Sequence, residues 1–374
     1  MKQFAKNHEE IQLNIIRDLC HIPAPSYVER KRAEYCKAYF ESIGAEGVYI
    51  DAINNVIFPL NCEESNEITV FAAHTDTVFP DTESYPEFHE DDERIYCPGV
   101  GDDTACVAAI MLTAKYFLEN KISPKGGILF VCNSCEEGLG NLAGTKQLMK
   151  EYEGRVKQFV TVDANTGSVI NMAVGSHRYE VVAETEGGHS FSKFGNKNAI
   201  AALSEVVGEI YKIQVPQKEN TITTYNVGII EGGTSINTIA QRAKMLCEYR
   251  SNDRECLEIM RKEFERIFAE ANTAETKLTV TLVGNRPCKG DVDPVAEEAL
   301  IDAHRQAVKA VLGQDIRLGM ASTDANIPMS MGVPAIDIGS RINAGSHRRE
   351  EYVEKSSLVP GLEIVIRTAL ELTK

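Results

Sequence analysis

Three short apolar runs constrain the fold of this 374-residue chain most: ITVFAAH (68–74), GGILFVCN (126–133) and QFVTVD (158–163). They lack the in-out alternation of a half-solvated sheet, so each reads as a strand buried on both faces. A helical stretch, TACVAAIMLTAKYFLEN, separates the first two. Helices are also expected over 3–20 and 27–43, with Gly44 as a stop signal. Alternating strands and helices build an α/β sheet covered on both sides, with ligands held outside the carboxyl ends of the strands. Those ends are rich in Asp, Glu and His.

From about residue 178 the order changes to strand (RYEVVAETEG), helix (AIAALSEVVGEIYKI), strand (TTYNVGIIEG), strand (QRAKMLCEYR), helix (RECLEIMRKEFERIFAEA) and strand (KLTVTLVGN). This β-α-β-β-α-β order is that of a ferredoxin-like module. A long helix (DPVAEEALIDAHRQAVKAVLG) and the strand PAIDIG then resume the earlier style. The second domain, 177–286, is therefore expected as an insertion into a first formed by 1–176 and 287–374.

Net charge of -16 excludes most nucleic-acid partners, which need concentrated Lys and Arg, and an anionic membrane would repel the chain. No apolar stretch reaches the roughly 20 residues that span a bilayer, and the amphipathic N-terminus lacks a signal-peptide core. A cytoplasmic location is expected. The 10 cysteines are scattered, several within apolar runs, and read as buried thiols. Cys132 and Cys135 end an apolar run instead of opening a helix, which argues against a redox pair.

The chemistry-bearing residues recur at strand ends. In FAAHTDTV, His74 and Asp76 lie two apart, so that a carboxylate could hold the second imidazole nitrogen of a metal ligand. In GVGDDTACVAAIM, Asp102 and Asp103 precede a helix, as an N-cap or a metal bridge. NSCEEGLG brings Glu136 and Glu137, of which one can ligate a metal while the other takes a proton from water. Asp163 ends another strand, and His347 lies in a glycine-flanked loop, AGSHRREEYV. Alone, each has a plainer reading as a cap, a turn Asp or a surface His. Together they suit two divalent ions sharing a carboxylate, zinc first.

In order, H-x-D, G-x-x-D-D, E-E-G, a strand-end Asp and a late His resemble the dizinc metallopeptidases that include peptidase T, glutamate carboxypeptidase, aminoacylase and succinyl-diaminopimelate desuccinylase. The likeness covers nearly the whole chain. It implies a zinc-peptidase catalytic domain with a mixed central sheet flanked by helices, plus an inserted ferredoxin-like domain serving as lid and dimerisation module. It further implies His74 and Asp163 on one metal, Glu137 and His347 on the other, Asp102 between them, Asp76 orienting His74, and Glu136 as general base. A cis peptide between Asp102 and Asp103 is implied as well. In the lid, GGHSFSKFGNKNAI makes His189 a candidate oxyanion stabiliser that reaches a neighbouring subunit's site. EGGTSINTIA makes Asn237 a substrate contact, and EYR makes Arg250 a clamp, or else a rim salt bridge. ASTDANIPMSMG makes Thr323 and Asp324 lining residues.

The likeness is closest to tripeptide aminopeptidases, because Asp163 stands where deacylases and carboxypeptidases tend to have Glu. A peptide-cleaving homodimer acting on short substrates is the expectation, with cobalt or manganese as alternative metals. The alternatives are a carboxypeptidase or N-acyl amino acid deacylase on the same metals and, more remotely, an inactive peptide-binding protein. Ala321, Ser322 and Ala325 replace usual glycines, and Ala240 a usual proline, departures that bear on substrate alignment and not on the metals.

Overall fold

A computed structural model describes residues 1–374 as two compact units, Met1–Ala173 with Gly290–Lys374, and Val174–Lys289. In the first, eight strands form one mixed sheet in the order Tyr49–Ile50, Val56–Leu60, Ile128–Asn133, Ile68–His74, Val156–Asn165, Ala335–Arg341, Ser168–Ala173 and Arg317–Ala321. The four middle strands, from Ile128–Asn133 to Ala335–Arg341, run parallel, so their carboxyl ends share one edge. The runs 68–74 and 128–133 are buried at every position, as their unbroken apolar sequences require.

The Ala105–Glu119 helix packs under this sheet and is buried on nearly every side, which matches its apolar composition. The helix expected over 3–20 is Lys2–Asn7 followed by Glu9–Cys20. Backbone hydrogen bonding runs through the junction; only the dihedrals of His8 depart, where its Nδ1 meets the Phe4 carbonyl oxygen at 2.8 Å. The helix expected from 27 begins at Arg30, because Tyr27 lies at φ 71° in a turn that brings Ser26 and Glu29 inward. All ten cysteines are buried free thiols.

In the second unit the main elements follow the β-α-β-β-α-β order, and the four-stranded antiparallel sheet is Thr223–Gly232, Arg242–Ser251, Gly175–Thr185, Thr276–Arg286. Two helices, Ala199–Ile210 and Arg254–Ala271, cover one face. The longer buries Cys256, Leu257, Met260, Phe264, Ile267 and Phe268, a stripe at helical spacing, and starts where the Asp253 carboxylate accepts the Cys256 N–H at 2.9 Å. The fold is thus a mixed α/β sheet flanked by helices with an inserted ferredoxin-like domain. No helix is long and apolar enough to cross a membrane.

Candidate metal centre

The shared carboxyl edge of the parallel strands collects the acidic and imidazole side chains. His74 ends its strand opposite Asn133, and Asn133 leads directly into Glu136 and Glu137. Asp163 is the residue of its own strand left unpaired where the register against Ala335–Arg341 shifts, and a Cβ at Gly339 would lie 2.1 Å from the Asn165 carbonyl carbon. Only glycine permits that approach.

Asp102 is the hub. Its Oδ1 lies 3.1 Å from His74 Nε2, and its Oδ2 lies 3.3 Å from His347 Nε2. Asp163 Oδ2 is 3.8 Å from the same His74 nitrogen, and Glu137 Oε1 is 3.2 Å from His347 Nε2. Three trios, His74 with Asp102 and Asp163, Asp102 with Glu137 and His347, and His74 with Glu136 and Glu137, each bring their ligand atoms within 4.8 Å of one another. The five expected ligands and Glu136 therefore converge.

Asp102 and Asp103 do not cap the following helix; Asp103 instead accepts the His74 backbone N–H at 3.1 Å. The peptide between them is cis.

Asp76 meets His74 through two of its groups. His74 Nδ1 is 3.0 Å from the Asp76 backbone carbonyl oxygen, while the carboxylate stands at 3.5 Å. The Asp76 oxygens are committed elsewhere: they accept the N–H groups of Glu136 and Glu137, both at 2.9 Å, and the Ser26 hydroxyl at 2.6 Å. Asp76 thus braces the two-glutamate loop as much as the imidazole.

Glu351, which the sequence did not single out, accepts the N–H groups of Gly99, Gly101 and Asp102 at 2.8–2.9 Å. It fixes the turn that presents the hub. Its signal was an acid four residues after His347.

Charge explains why this cluster suits cations. Burial opposes the Asp102 charge, but hydrogen bonds from His347 and His74 outweigh it and hold its pKa below the usual carboxylate range. Burial, with the charges of Asp102 and Glu136, pushes Glu137 up to about 7. Hydrogen bonds to Asp102 and Glu137 raise His347 to about 10, and contacts with Asp102 and Asp76 raise His74 despite its burial. The crowded carboxylates thus favour positive charge at this edge, a charge that divalent cations would supply in exchange for protons. Glu137 Oε1, buried without an aligned hydrogen bond, and the two oxygens of Asp102, each facing a different histidine, fit two ions with one shared ligand.

The remaining expected residues fall into two groups. In the first unit Thr323 and Asp324 are buried, and both Asp324 oxygens are taken, by Asn133 Nδ2 and the Thr145 hydroxyl at 2.5 Å each. Asp324 braces the Ile128–Asn133 strand end and lies close enough to Glu136 to feel its charge. In the second unit His189 and Asn237 are exposed neighbours: His189 pairs with Thr238 across two short strands, and Asn237 O accepts the Ser190 N–H at 3.0 Å. Arg250 donates to both Glu248 oxygens, at 2.7 and 3.1 Å, the ion pair weighed as its plainer reading.

Succinyl-diaminopimelate desuccinylase of Corynebacterium glutamicum is 24% identical over 344 residues, covering 89% of each protein. Aminopeptidase PepT from Bacillus cereus has the same fold, with a TM-score of 0.72 at 21% identity over 98% of this chain and 99% of that one. The YXEP protein of Bacillus subtilis, described as a dinuclear metal binding peptidase, gives 0.64 at 17% identity over 98% and 99%. The model of peptidase family M20/M25/M40 matches residues 70–371, and with the strand-edge cluster in place the chain belongs to that family.

Proposed function

We propose that this chain is a two-metal aminopeptidase that releases the first residue of short peptides, tripeptides above all. The observation that carries the reading is Asp102 standing between His74 and His347 with Glu136 alongside. His74 and Asp163 would hold one ion, Glu137 and His347 the other, and Asp102 both, with zinc the first candidate. Bound there, the ions supply Lewis acidity to the scissile carbonyl and lower the pKa of water.

Glu136, 5% exposed on a loop pinned by Asp76, takes the proton of the attacking water and returns it to the departing amine nitrogen. Exclusion of bulk water around it strengthens each of these interactions. In this reading His189 stabilises the developing oxyanion in the neighbouring subunit's site, Asn237 and Arg250 hold the far end of the substrate, and Thr323 and Asp324 line the site. The second unit serves as lid and joins two copies into a homodimer; its two opposite edge strands expose Ile229 and Ile230 on one side and Val280 and Leu282 on the other, and pairing along either edge would satisfy its free backbone groups. The enzyme works in the cytoplasm.

The likeness to a desuccinylase favours a second reading, removal of an acyl group by the same machinery. A comparison of kcat/KM for a tripeptide, its N-acetylated form and an N-succinyl amino acid separates the two. The free tripeptide is expected to lead, and preference for either acylated compound transfers the assignment to the deacylase.

A further inference from the structure

Arg341 closes the Ala335–Arg341 strand at the edge where the metal candidates gather, and it is 2% exposed. Its Nε donates to the Gly101 carbonyl oxygen at 2.7 Å, and its Nη2 lies 3.3 Å from Asp163 Oδ1 and 3.9 Å from Asp103 Oδ1. Nη1 is buried with no hydrogen bond. Asp163 is also held from behind, its N–H donating to Asp337 at 2.9 Å. A guanidinium keeps its charge at any pH where a protein stays folded, and burying one costs several kcal/mol unless it serves the groups around it.

The contact divides Asp163. Oδ1 faces the guanidinium, while Oδ2 faces His74 Nε2. The two candidate cation positions are therefore unequal. Around the first, His74 with Asp102 and Asp163, a fixed positive charge cancels much of one carboxylate. Around the second, Asp102 and Glu137 both pair with His347, and Arg341 pairs with neither Glu137 nor His347. Asp103, which also faces Arg341, spends its other oxygen on the His74 backbone and stands outside the trio.

We propose that Arg341 is a positioning residue that turns one Asp163 oxygen into the cluster and, by its charge, makes the His74–Asp163 position the weaker of the two, filled only after the Glu137–His347 position. This rests on the two-ion reading above. The weaker ion then exchanges with the medium while the tighter one stays.

The test is calorimetric titration of the chelator-stripped full-length protein with zinc, repeated with cobalt to follow its visible absorption. The wild-type protein is expected to bind two ions with dissociation constants at least about tenfold apart, as a charge held a few ångströms away in a buried site demands. Asp163→Ala should keep the tight ion, and His347→Ala only the weak one. Arg341→Met should tighten the weak position by about tenfold or more. Arg341→Lys, which keeps the charge without the fork, should leave it weak. Equal wild-type affinities, survival of the tight ion in His347→Ala, or weaker second binding in Arg341→Met would overturn the role of Arg341 while leaving two ions in place. Saturation of the wild-type protein at one ion would remove the two-ion reading itself and this inference with it. Should Arg341→Met fail to fold, by circular dichroism and gel filtration, the Asp163 and His347 variants still decide the order.

Discussion

On the Arg254–Ala271 helix of the inserted unit, Arg261 reaches Glu258 at 2.6 Å and Glu265 at 2.5 Å across solvent, and Arg266 repeats the pattern with Glu263 and Glu270. At the strand ends of the first unit, Asp103, Asp163 and Arg341 meet at 3.3–3.9 Å with almost no water, Asp103 itself wholly buried. The distances are similar and the physics is not. An exposed pair forms at helical spacing at little cost and returns little, since water screens it. A buried set must offset desolvation, and here each carboxylate does so through backbone N–H groups, imidazoles or the guanidinium. The ladder keeps a helix soluble, whereas the buried set is an arrangement that binding and catalysis can use.

The largest effect expected from disturbing this contrast comes from Glu136. Glu136→Gln keeps the shape and removes the base, so kcat should fall by about a hundredfold or more. Metal content, measured by elemental analysis, should stay at the wild-type level. Activity that survives would move the proton transfer to another group.

Glu351 comes next. Glu351→Ala leaves the N–H groups of Gly99, Gly101 and Asp102 buried without their acceptor. Each such orphan costs about 1–3 kcal/mol, so urea denaturation should show a loss of roughly 3 kcal/mol or more and weaker retention of both ions. Glu351→Gln keeps one acceptor oxygen and should lose less. Equal stability of the alanine variant would mean that the turn is held by its glycines alone.

The contrast also shows what a sequence carries and what it hides. Residues at or just past strand ends such as His74, Glu137 and Asp163 were legible because apolar runs announce buried strands, and a charged residue at the end of such a run needs a reason, whereas Asp102 was legible as one of two acids after glycines at the start of an apolar helix. The inserted unit's order was legible in part from helical spacing, as in Cys256, Met260, Phe264 and Ile267. The short strands Ser168–Ala173 and Arg317–Ala321 were not, since their burial is partial and they are fixed by neighbours far along the chain. Arg341 and Glu351 stayed hidden for the same reason. Nothing local marks either as buried; only the pairing of the Ala335–Arg341 strand with Val156–Asn165 and the return of the His347 loop to Gly99–Asp102 make them so. Asp76 was placed correctly beside His74, but which of its atoms faces the imidazole depends on Ser26 and the two-glutamate loop, again distant in sequence.

A smaller effect belongs to a buried group with no part in the cluster. His304, on the Pro294–Leu312 helix, is 0% exposed, with its Nδ1 3.0 Å from the Thr368 hydroxyl and its Nε2 unpartnered. Burial lowers its pKa to about 3, against roughly 6.5 when unfolded. Between these values the unfolded chain binds a proton that the folded chain refuses, so its stabilising share is complete above about pH 6.5 and drains away as pH falls towards 3. At pH 4.5 the loss should be roughly 2–3 kcal/mol. His304→Gln should flatten that part of the stability–pH curve, read as the difference between the two proteins so that the carboxylates common to both cancel. Parallel curves would show that the folded chain admits the proton after all.

The smallest effect should come from the ladder. Arg261 donates to Glu258 and Glu265, and these hydrogen bonds raise its pKa, yet the pairs lie at the surface, with the arginine side chain about one third exposed. A protonated guanidinium gains nothing at neutral pH from being harder to deprotonate, because it is charged in the unfolded chain as well. What remains is screened attraction, opposed by the entropy of holding long side chains in one geometry. Arg261→Ala should therefore shift Tm by about 1 °C or less, and molar salt should erase even that difference. The double change Arg261→Ala with Arg266→Ala should be close to additive, since each arginine has its own pair of glutamates. A loss of many degrees from either single change would mean that the exposed ladder stabilises the inserted unit as a buried set would, and the distinction drawn between the two kinds of charge would fail where it is easiest to measure.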